Sequence, residues 1–224
     1  LAKEKFPKHN LHLVGQIIHN PLVNRDMKDL GIKFIFDEQG RRQIFEDQIS
    51  SQDIVLIPAF GVTSAMEYSL RKSGIDTDAE EFREQYDATC PFVYNVWKRG
   101  KELGHEGYTI IIHGKFNHEE TQATRSQIGQ HARTLVVYNR EEALEVGEFI
   151  LGRLSAEKLK ERFKDKWSTD FDPERDLERI AVVNQTTMLA SETQEITKIL
   201  REGMRERYGE THLEHHFADT KDTL

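Results

Sequence analysis

Short apolar runs alternate with longer, more polar stretches along the whole chain. The runs are rich in Val and Ile, as buried strands are, and cover residues 11–16, 33–36, 53–57, 108–112, 134–138 and 179–184. Start and stop signals between them predict helices over residues 22–30, 65–72, 92–103, 122–130, 140–154 and 156–166, and from the capping Ser191 to Arg207. This alternation predicts an α/β fold in which parallel sheets are covered by helices on both faces.

Residues able to do chemistry recur just after the predicted strands. Ligands of parallel sheets bind beyond the carboxyl ends of the strands, so these residues are expected to meet at one edge. A further short extended segment is predicted just before Pro91, at the start of the helix over 92–103. The candidates that follow strands or this segment are His19, Cys90, His118, Glu120, Gln185 and Thr186.

Cys90 is the only cysteine of the chain, and it directly precedes Pro91. Proline suits the first position of a helix, because its fixed φ fits and its missing N–H would be unpaired there. A thiol at the positive end of a helix dipole favours the thiolate, which attacks electrophiles or binds metal. The alternative is an inert, buried cysteine.

The other candidates also have structural interpretations. Most histidines are surface or core residues, and Glu120 and Thr186 could cap helices. Two imidazoles in loops, at His19 and His118, could instead bind an anionic group such as a phosphate. A carboxyl and a hydroxyl near them could donate and relay a proton. Taken together with Cys90, these residues favour a functional site.

Composition and charge exclude several classes of protein. The 224 residues include 31 basic and 39 acidic ones, a net charge of −8, and no basic stretch is present to neutralise phosphates. We therefore expect no nucleic-acid partner. No apolar run approaches the roughly 20 residues that span a bilayer, so no membrane partner is expected. A single cysteine allows no internal disulfide, which fits a reducing compartment.

Five short motifs occur in a defined order: residues 18–21 (IHNP), 58–61 (PAFG), 87–91 (DATCP), 113–121 (HGKFNHEET) and 184–188 (NQTTM). Over nearly the whole chain, this series resembles the 4-hydroxy-3-methylbut-2-enyl diphosphate reductases of the non-mevalonate isoprenoid pathway, especially their plant and cyanobacterial branch. The resemblance implies three similar α/β domains around a central [4Fe–4S] cluster, with one cysteine from each domain. It also implies reduction of the allylic alcohol of the diphosphate substrate to isopentenyl and dimethylallyl diphosphate, with two electrons and loss of water.

The resemblance assigns roles to the candidates one by one. Cys90 matches a cysteine that binds the cluster as thiolate. Glu120 matches the carboxyl that delivers a proton to the leaving hydroxyl, and Thr186 matches the residue through which that proton passes.

Three further residues match the substrate-binding part of the family's site. His19 and His118 correspond to histidines that hold the diphosphate, and Gln185 lies in the motif that contacts the substrate. Many bacterial members carry a third diphosphate histidine at the position of Phe60. A phenylalanine there resembles the plant and cyanobacterial pattern.

The family's other two cluster cysteines would lie upstream of Leu1 and downstream of Leu224. We therefore expect an internal fragment, with residues 1–89 as the remainder of a first α/β domain, residues 90–224 as a second, and the third absent. Such a fragment is expected to hold no stable [4Fe–4S] cluster and to be inactive alone. The resemblance further implies a ferredoxin or flavodoxin as electron donor, in a bacterial cytoplasm or a plastid stroma.

Two other functions fit the residues without the resemblance. One is a thiol-dependent hydrolase or transferase, with Cys90 as nucleophile, a histidine as base and Glu120 as its orienting group. The other is a non-catalytic module that binds a phosphate ligand.

Overall fold

The computed structural model describes residues 9–218 and residue 220. The chain divides into two compact units, Leu1–Pro91 and Phe92–Leu224. In each unit the strands are parallel and helices pack against the sheet. This confirms the predicted α/β fold with parallel sheets covered by helices.

The sheet of the first unit has the strand order β2-β1-β3. His12 of β1 pairs in parallel register with Lys33 of β2 and with Val55 of β3. The elements are β1 (Leu11–Leu13), α1 (Pro21–Asp29), β2 (Lys33–Phe34), a 3₁₀ turn (Glu46–Gln48), β3 (Ile54–Leu56), α2 (Ser64–Lys72) and α3 (Glu80–Gln85).

The sheet of the second unit has the order β5-β4-β6-β7, again all parallel. Its first half contains α4 (Pro91–His105, whose first residue closes the first unit), β4 (Thr109–His113), α5 (Glu119–Ile128) and β5 (Thr134–Val137). Its second half contains α6 (Arg140–Ile150), α7 (Ala156–Arg162), α8 (Pro173–Asp176), β6 (Ile180–Asn184), α9 (Ala190–Tyr208), a 3₁₀ turn (Glu210–His212), α10 (Leu213–His216) and β7 (Phe217–Ala218).

Both faces of the second sheet are buried, which explains why its strands are continuous apolar runs. Ile111 packs into one core with the helices α6 and α9, while its neighbours Ile110 and Ile112 pack into another core on the opposite face. All three side chains are fully buried. Because side chains alternate between faces, a strand covered on both sides carries apolar residues at successive positions along its middle.

The segment just before Cys90 is not the strand that the sequence predicts. A helix, α3, covers residues 80–85, and only one parallel bridge follows, between Asp87 and Ile57. Phe82 anchors α3 because its ring is buried in the core of the first unit. The segment before Cys90 therefore extends the sheet by a single residue pair.

Some predicted boundaries also differ. Ser191 is not the cap of α9: the helix starts at Ala190, and the Thr193 N–H donates to the Leu189 carbonyl at 3.1 Å. The predicted loop over 170–176 contains α8, where the side chain of Asp172 accepts the Glu174 N–H. The helices predicted over 140–154 and 156–166 end earlier, at Ile150 and Arg162. Among the described helices, none has the length and apolar character needed to cross a membrane.

Candidate active site

The loop after β1 carries His19 and is fixed by a buried asparagine of α1. Asn24 accepts the Ile17 N–H at 3.0 Å through Oδ1 and donates to the Ile18 carbonyl at 2.8 Å through Nδ2. On the other side of His19, Asn20 caps α1 with its side chain. His19 therefore lies between two anchored points of the backbone and is itself exposed.

The imidazole of His19 stacks on the ring of Phe60. The ring centroids are 4.2 Å apart and the planes differ by 23°. Phe60 follows β3 and is buried, whereas His19 is exposed. The phenyl ring thus supports one face of the imidazole.

Cys90 is tied to the same edge of the first sheet by backbone hydrogen bonds. Its N–H donates to the Ala59 carbonyl at 2.9 Å, and the Ala59 N–H donates to the Ile17 carbonyl at 3.0 Å. Cys90 is partly exposed. At the carboxyl ends of β1 and β3, the first unit therefore brings together the loops that carry His19, Phe60 and Cys90.

In the second unit, Glu120 and Thr186 form a hydrogen-bonded pair. The Thr186 N–H donates to Oε1 of Glu120 at 2.5 Å, and the Thr186 hydroxyl donates to Oε2 at 2.9 Å. Glu120 is only 2% exposed, while Thr186 is partly exposed. Solvent therefore reaches Thr186 more readily than Glu120.

His118 caps the helix that carries Glu120. Its Nδ1 accepts the Glu120 N–H at 3.1 Å, so a neutral His118 ring carries its proton on Nε2. The expected alternative, that the Glu120 and Thr186 side chains serve as helix caps, does not apply, because His118 occupies the cap and the two side chains bind each other.

Gln185 is buried between the two loops of the second unit. Its Oε1 accepts the Lys115 N–H and the Thr121 hydroxyl, both at 3.0 Å, and its Nε2 donates to the Thr187 hydroxyl at 2.6 Å. The predicted substrate-binding residue Gln185 therefore uses both ends of its side-chain amide within the unit.

His113 is the last residue of β4 and lies beneath these loops. It is fully buried, and its Nδ1 lies 2.7 Å from the Thr193 hydroxyl oxygen. Burial lowers its pKa, because the charged imidazolium loses its hydration, and this outweighs the attraction of Glu192. Its carbonyl accepts the Gln185 N–H at 2.8 Å, so β4 and β6 stay paired up to the turn.

The predicted residues thus fall into two groups, each at the carboxyl edge of its own sheet. His19 and Cys90 belong to the first unit. His118, Glu120, Gln185 and Thr186 belong to the second, where they lie in the two loops after β4 and β6.

Sequence reasoning did not find three residues that hold these loops: Asn24, Gly114 and Thr121. Asn24 could have been recognised because asparagine is unfavourable inside a helix unless its side chain has a partner. Gly114 lacks space for a side chain, since a Cβ atom there would lie 2.6 Å from the Thr121 hydroxyl oxygen. Thr121 gives no local signal, because its partner Gln185 is 64 positions away.

The fold and these contacts define an α/β protein with a buried carboxylate–hydroxyl pair at the carboxyl edge of a parallel sheet. The sequence profile of the LytB protein family matches residues 1–220. The chain belongs to this family.

Curated relatives include cyanobacterial proteins named 4-hydroxy-3-methylbut-2-enyl diphosphate reductase. The protein of Prochlorococcus marinus (strain MIT 9301) is 39% identical over 216 residues, which are 96% of this chain and 51% of the relative. That of Synechococcus sp. (strain CC9605) is 40% identical over the same length, with the same coverage. The chain therefore spans about half the length of the curated relatives it matches.

Two solved structures share the fold. A structure of (E)-4-hydroxy-3-methyl-but-2-enyl diphosphate reductase aligns with a TM-score of 0.60 and 24% identity, over 91% of this chain and 57% of that one. The Plasmodium falciparum E-1-hydroxy-2-methyl-but-2-enyl-4-diphosphate reductase aligns with a TM-score of 0.63 and 18% identity, over 99% of this chain and 52% of that one.

Proposed function

We propose that this chain is part of a reductase that removes the allylic hydroxyl of 4-hydroxy-3-methylbut-2-enyl diphosphate and forms isopentenyl and dimethylallyl diphosphate. Family membership and the names of the cyanobacterial relatives support the reaction. The observation that carries the proposal is the Glu120–Thr186 pair, in which both carboxylate oxygens are held by one threonine.

The pair is suited to moving a proton to a leaving hydroxyl. Glu120 is buried, so it reaches a ligand through the partly exposed Thr186. A protonated Glu120 gives its proton to the Thr186 hydroxyl oxygen, whose own proton passes to the substrate hydroxyl. The C–O bond then breaks and the hydroxyl leaves as water, and two electrons together with one further proton convert the remaining allylic group into the product. Protonation of a leaving group by a positioned carboxyl is ordinary general acid catalysis.

The two histidines are proposed to bind the diphosphate. A neutral His118 has its proton on Nε2, because Nδ1 accepts a backbone N–H, so Nε2 can donate to a phosphate oxygen. The His19 ring is held by its stack on Phe60 and can donate in the same way. Phe60 would then contribute by orienting His19, in place of a direct contact from a third histidine.

A [4Fe–4S] cluster would supply the two electrons, delivered to it by a ferredoxin or flavodoxin. Such clusters are held by several cysteine thiolates, and this chain has one cysteine. Cys90 fits one ligand position, since it is a free cysteine and partly exposed at the edge of the first sheet. The residues of this chain therefore do not form a complete cluster site.

Substitution of Glu120 tests the proposal, with the exposed Glu106, which precedes β4 at the other end of that strand, as the control. In the complete protein that contains this segment, assayed anaerobically with the diphosphate substrate, Glu120→Gln should lower kcat about 100-fold or more with little change in KM. Glu106→Gln should keep most of the activity. Wild-type turnover by Glu120→Gln would refute the role of Glu120, and a complete protein without reductase activity would refute the proposed reaction.

A further inference from the structure

Two consecutive residues of α5 contact two consecutive residues of the turn after β6. Glu120 binds Thr186, and next to this pair Thr121 donates to Gln185 at 3.0 Å. The first pair joins the buried, ionisable Glu120 to the partly exposed Thr186, whereas the second pair is neutral and buried.

The orientation of the Gln185 amide follows from its partners. The Lys115 N–H can only donate, so the amide oxygen must face it, and the same oxygen accepts the Thr121 hydroxyl. The amide nitrogen then faces the Thr187 hydroxyl and donates to it. One side chain thus joins the loop after β4, the first turn of α5 and the turn after β6.

Gly114 makes this close approach possible. A Cβ atom at this position would lie 2.6 Å from the Thr121 hydroxyl oxygen and 3.1 Å from Cβ of Gln185. Both neighbours are buried, so neither can move aside without losing its hydrogen bonds. A glycine is needed at this position because it has no side chain.

We propose that Thr121 is a positioning residue: its hydrogen bond to Gln185 fixes the turn after β6 against α5, and so sets the contact between Thr186 and Glu120. Gln185 then acts through this buried network. The effect on turnover rests on the function proposed above, whereas the effect on the Thr186 contact does not.

The geometric part is tested in the 224-residue chain by amide hydrogen exchange. Thr121→Val removes the hydroxyl and keeps the shape of the side chain, whereas Thr121→Ser keeps the hydroxyl. With Val, the exchange of both the Lys115 and the Thr186 N–H should become about five- to tenfold faster, the size expected for one lost hydrogen bond. With Ser, both should stay near wild type. If the Thr186 N–H exchanges at the wild-type rate in Thr121→Val, the positioning role is refuted.

The catalytic part is tested in the complete protein. Thr121→Val should lower kcat about tenfold with KM within twofold, and should shift the pH dependence of kcat, while Thr121→Ser restores both. An unchanged pH profile together with unchanged kcat would contradict the proposal. If the complete protein has no reductase activity, the proposed function fails, and the exchange of the Thr186 N–H still decides the role of Thr121. If Thr121→Val does not fold, Gly114→Ala takes its place, with the same exchange results expected.

Discussion

The buried His113 should make the second unit less stable in mild acid. Its pKa is lowered from the ordinary 6.5 by burial. The unfolded chain therefore binds a proton near pH 6.5 that the folded chain does not bind until a lower pH. The contribution of His113 to the free energy of unfolding is fully present above pH 6.5. It decreases as the pH falls from 6.5 towards the pKa of His113 in the folded protein.

The magnitude follows from this difference. If the folded protein excludes the proton entirely, one pH unit below 6.5 costs RT ln 11, about 1.4 kcal/mol. This is an upper limit, because Glu192 favours the charged ring. It is still a large part of the 5–15 kcal/mol, roughly, that stabilises a typical domain.

Tryptophan fluorescence can measure this loss selectively. The chain has two tryptophans, Trp97 and Trp167, and both lie in the second unit. Urea unfolding at pH 7.5 and at pH 5.5 gives the free energy of unfolding of this unit at each pH. The control is His113→Asn, whose amide nitrogen can reach Thr193 in place of Nδ1 and does not titrate.

We expect wild type to lose about 1 kcal/mol more than His113→Asn between the two pH values. The comparison cancels the effects of other titrating groups, including His131, whose pKa is also lowered by burial and by the neighbouring His105 and Lys101. Equal losses in the two proteins would show that His113 is not the neutral, buried residue described above.

Two other predictions concern the first unit, and a third concerns the iron content of the whole chain. Phe60→Leu removes the support of the His19 ring and should raise KM for the diphosphate substrate about two- to tenfold in the complete protein. Phe60→Tyr should keep the stack and the wild-type KM. An unchanged KM in Phe60→Leu would contradict the role of Phe60 in orienting His19. Asn24→Ala should speed exchange of the Ile17 N–H about fivefold, and Asn24→Asp, which keeps the acceptor, should not; equal exchange in both variants contradicts the loop-holding role. After anaerobic reconstitution and desalting, the 224-residue chain should retain little iron because it offers one thiolate, and stoichiometric, persistent iron would contradict this.

The apolar runs were sufficient to predict six of the seven described strands, because most residues of these strands are buried. Elements that depend on few contacts could not be predicted. The strand β7 has two residues, too few for a periodic pattern, and the bridge at Asp87 is one residue pair. The helix α3 is anchored by one buried residue, Phe82, in an otherwise polar segment.

The placement of the candidate residues in loops after strands was predictable for a different reason. Strand ends and motif order identify the positions of His19, Cys90, His118, Glu120 and Thr186, but neither can show which side chains touch. Thr186 and Glu120 are 66 positions apart, so their contact depends on β4 and β6 pairing in parallel register, His113 opposite Asn184. That register brings the two loops side by side.

The adjacent glutamates of α5 show how the fold selects between equal side chains. Glu119 and Glu120 have the same chemistry and occupy the first turn of the same helix. Successive helical residues point about 100° apart, so when one faces the turn after β6, the other faces solvent. Glu119 is exposed, and Glu120 is buried with two hydrogen bonds from Thr186. His118 sets this rotation by capping α5, and the Thr121–Gln185 hydrogen bond holds the next residue inward.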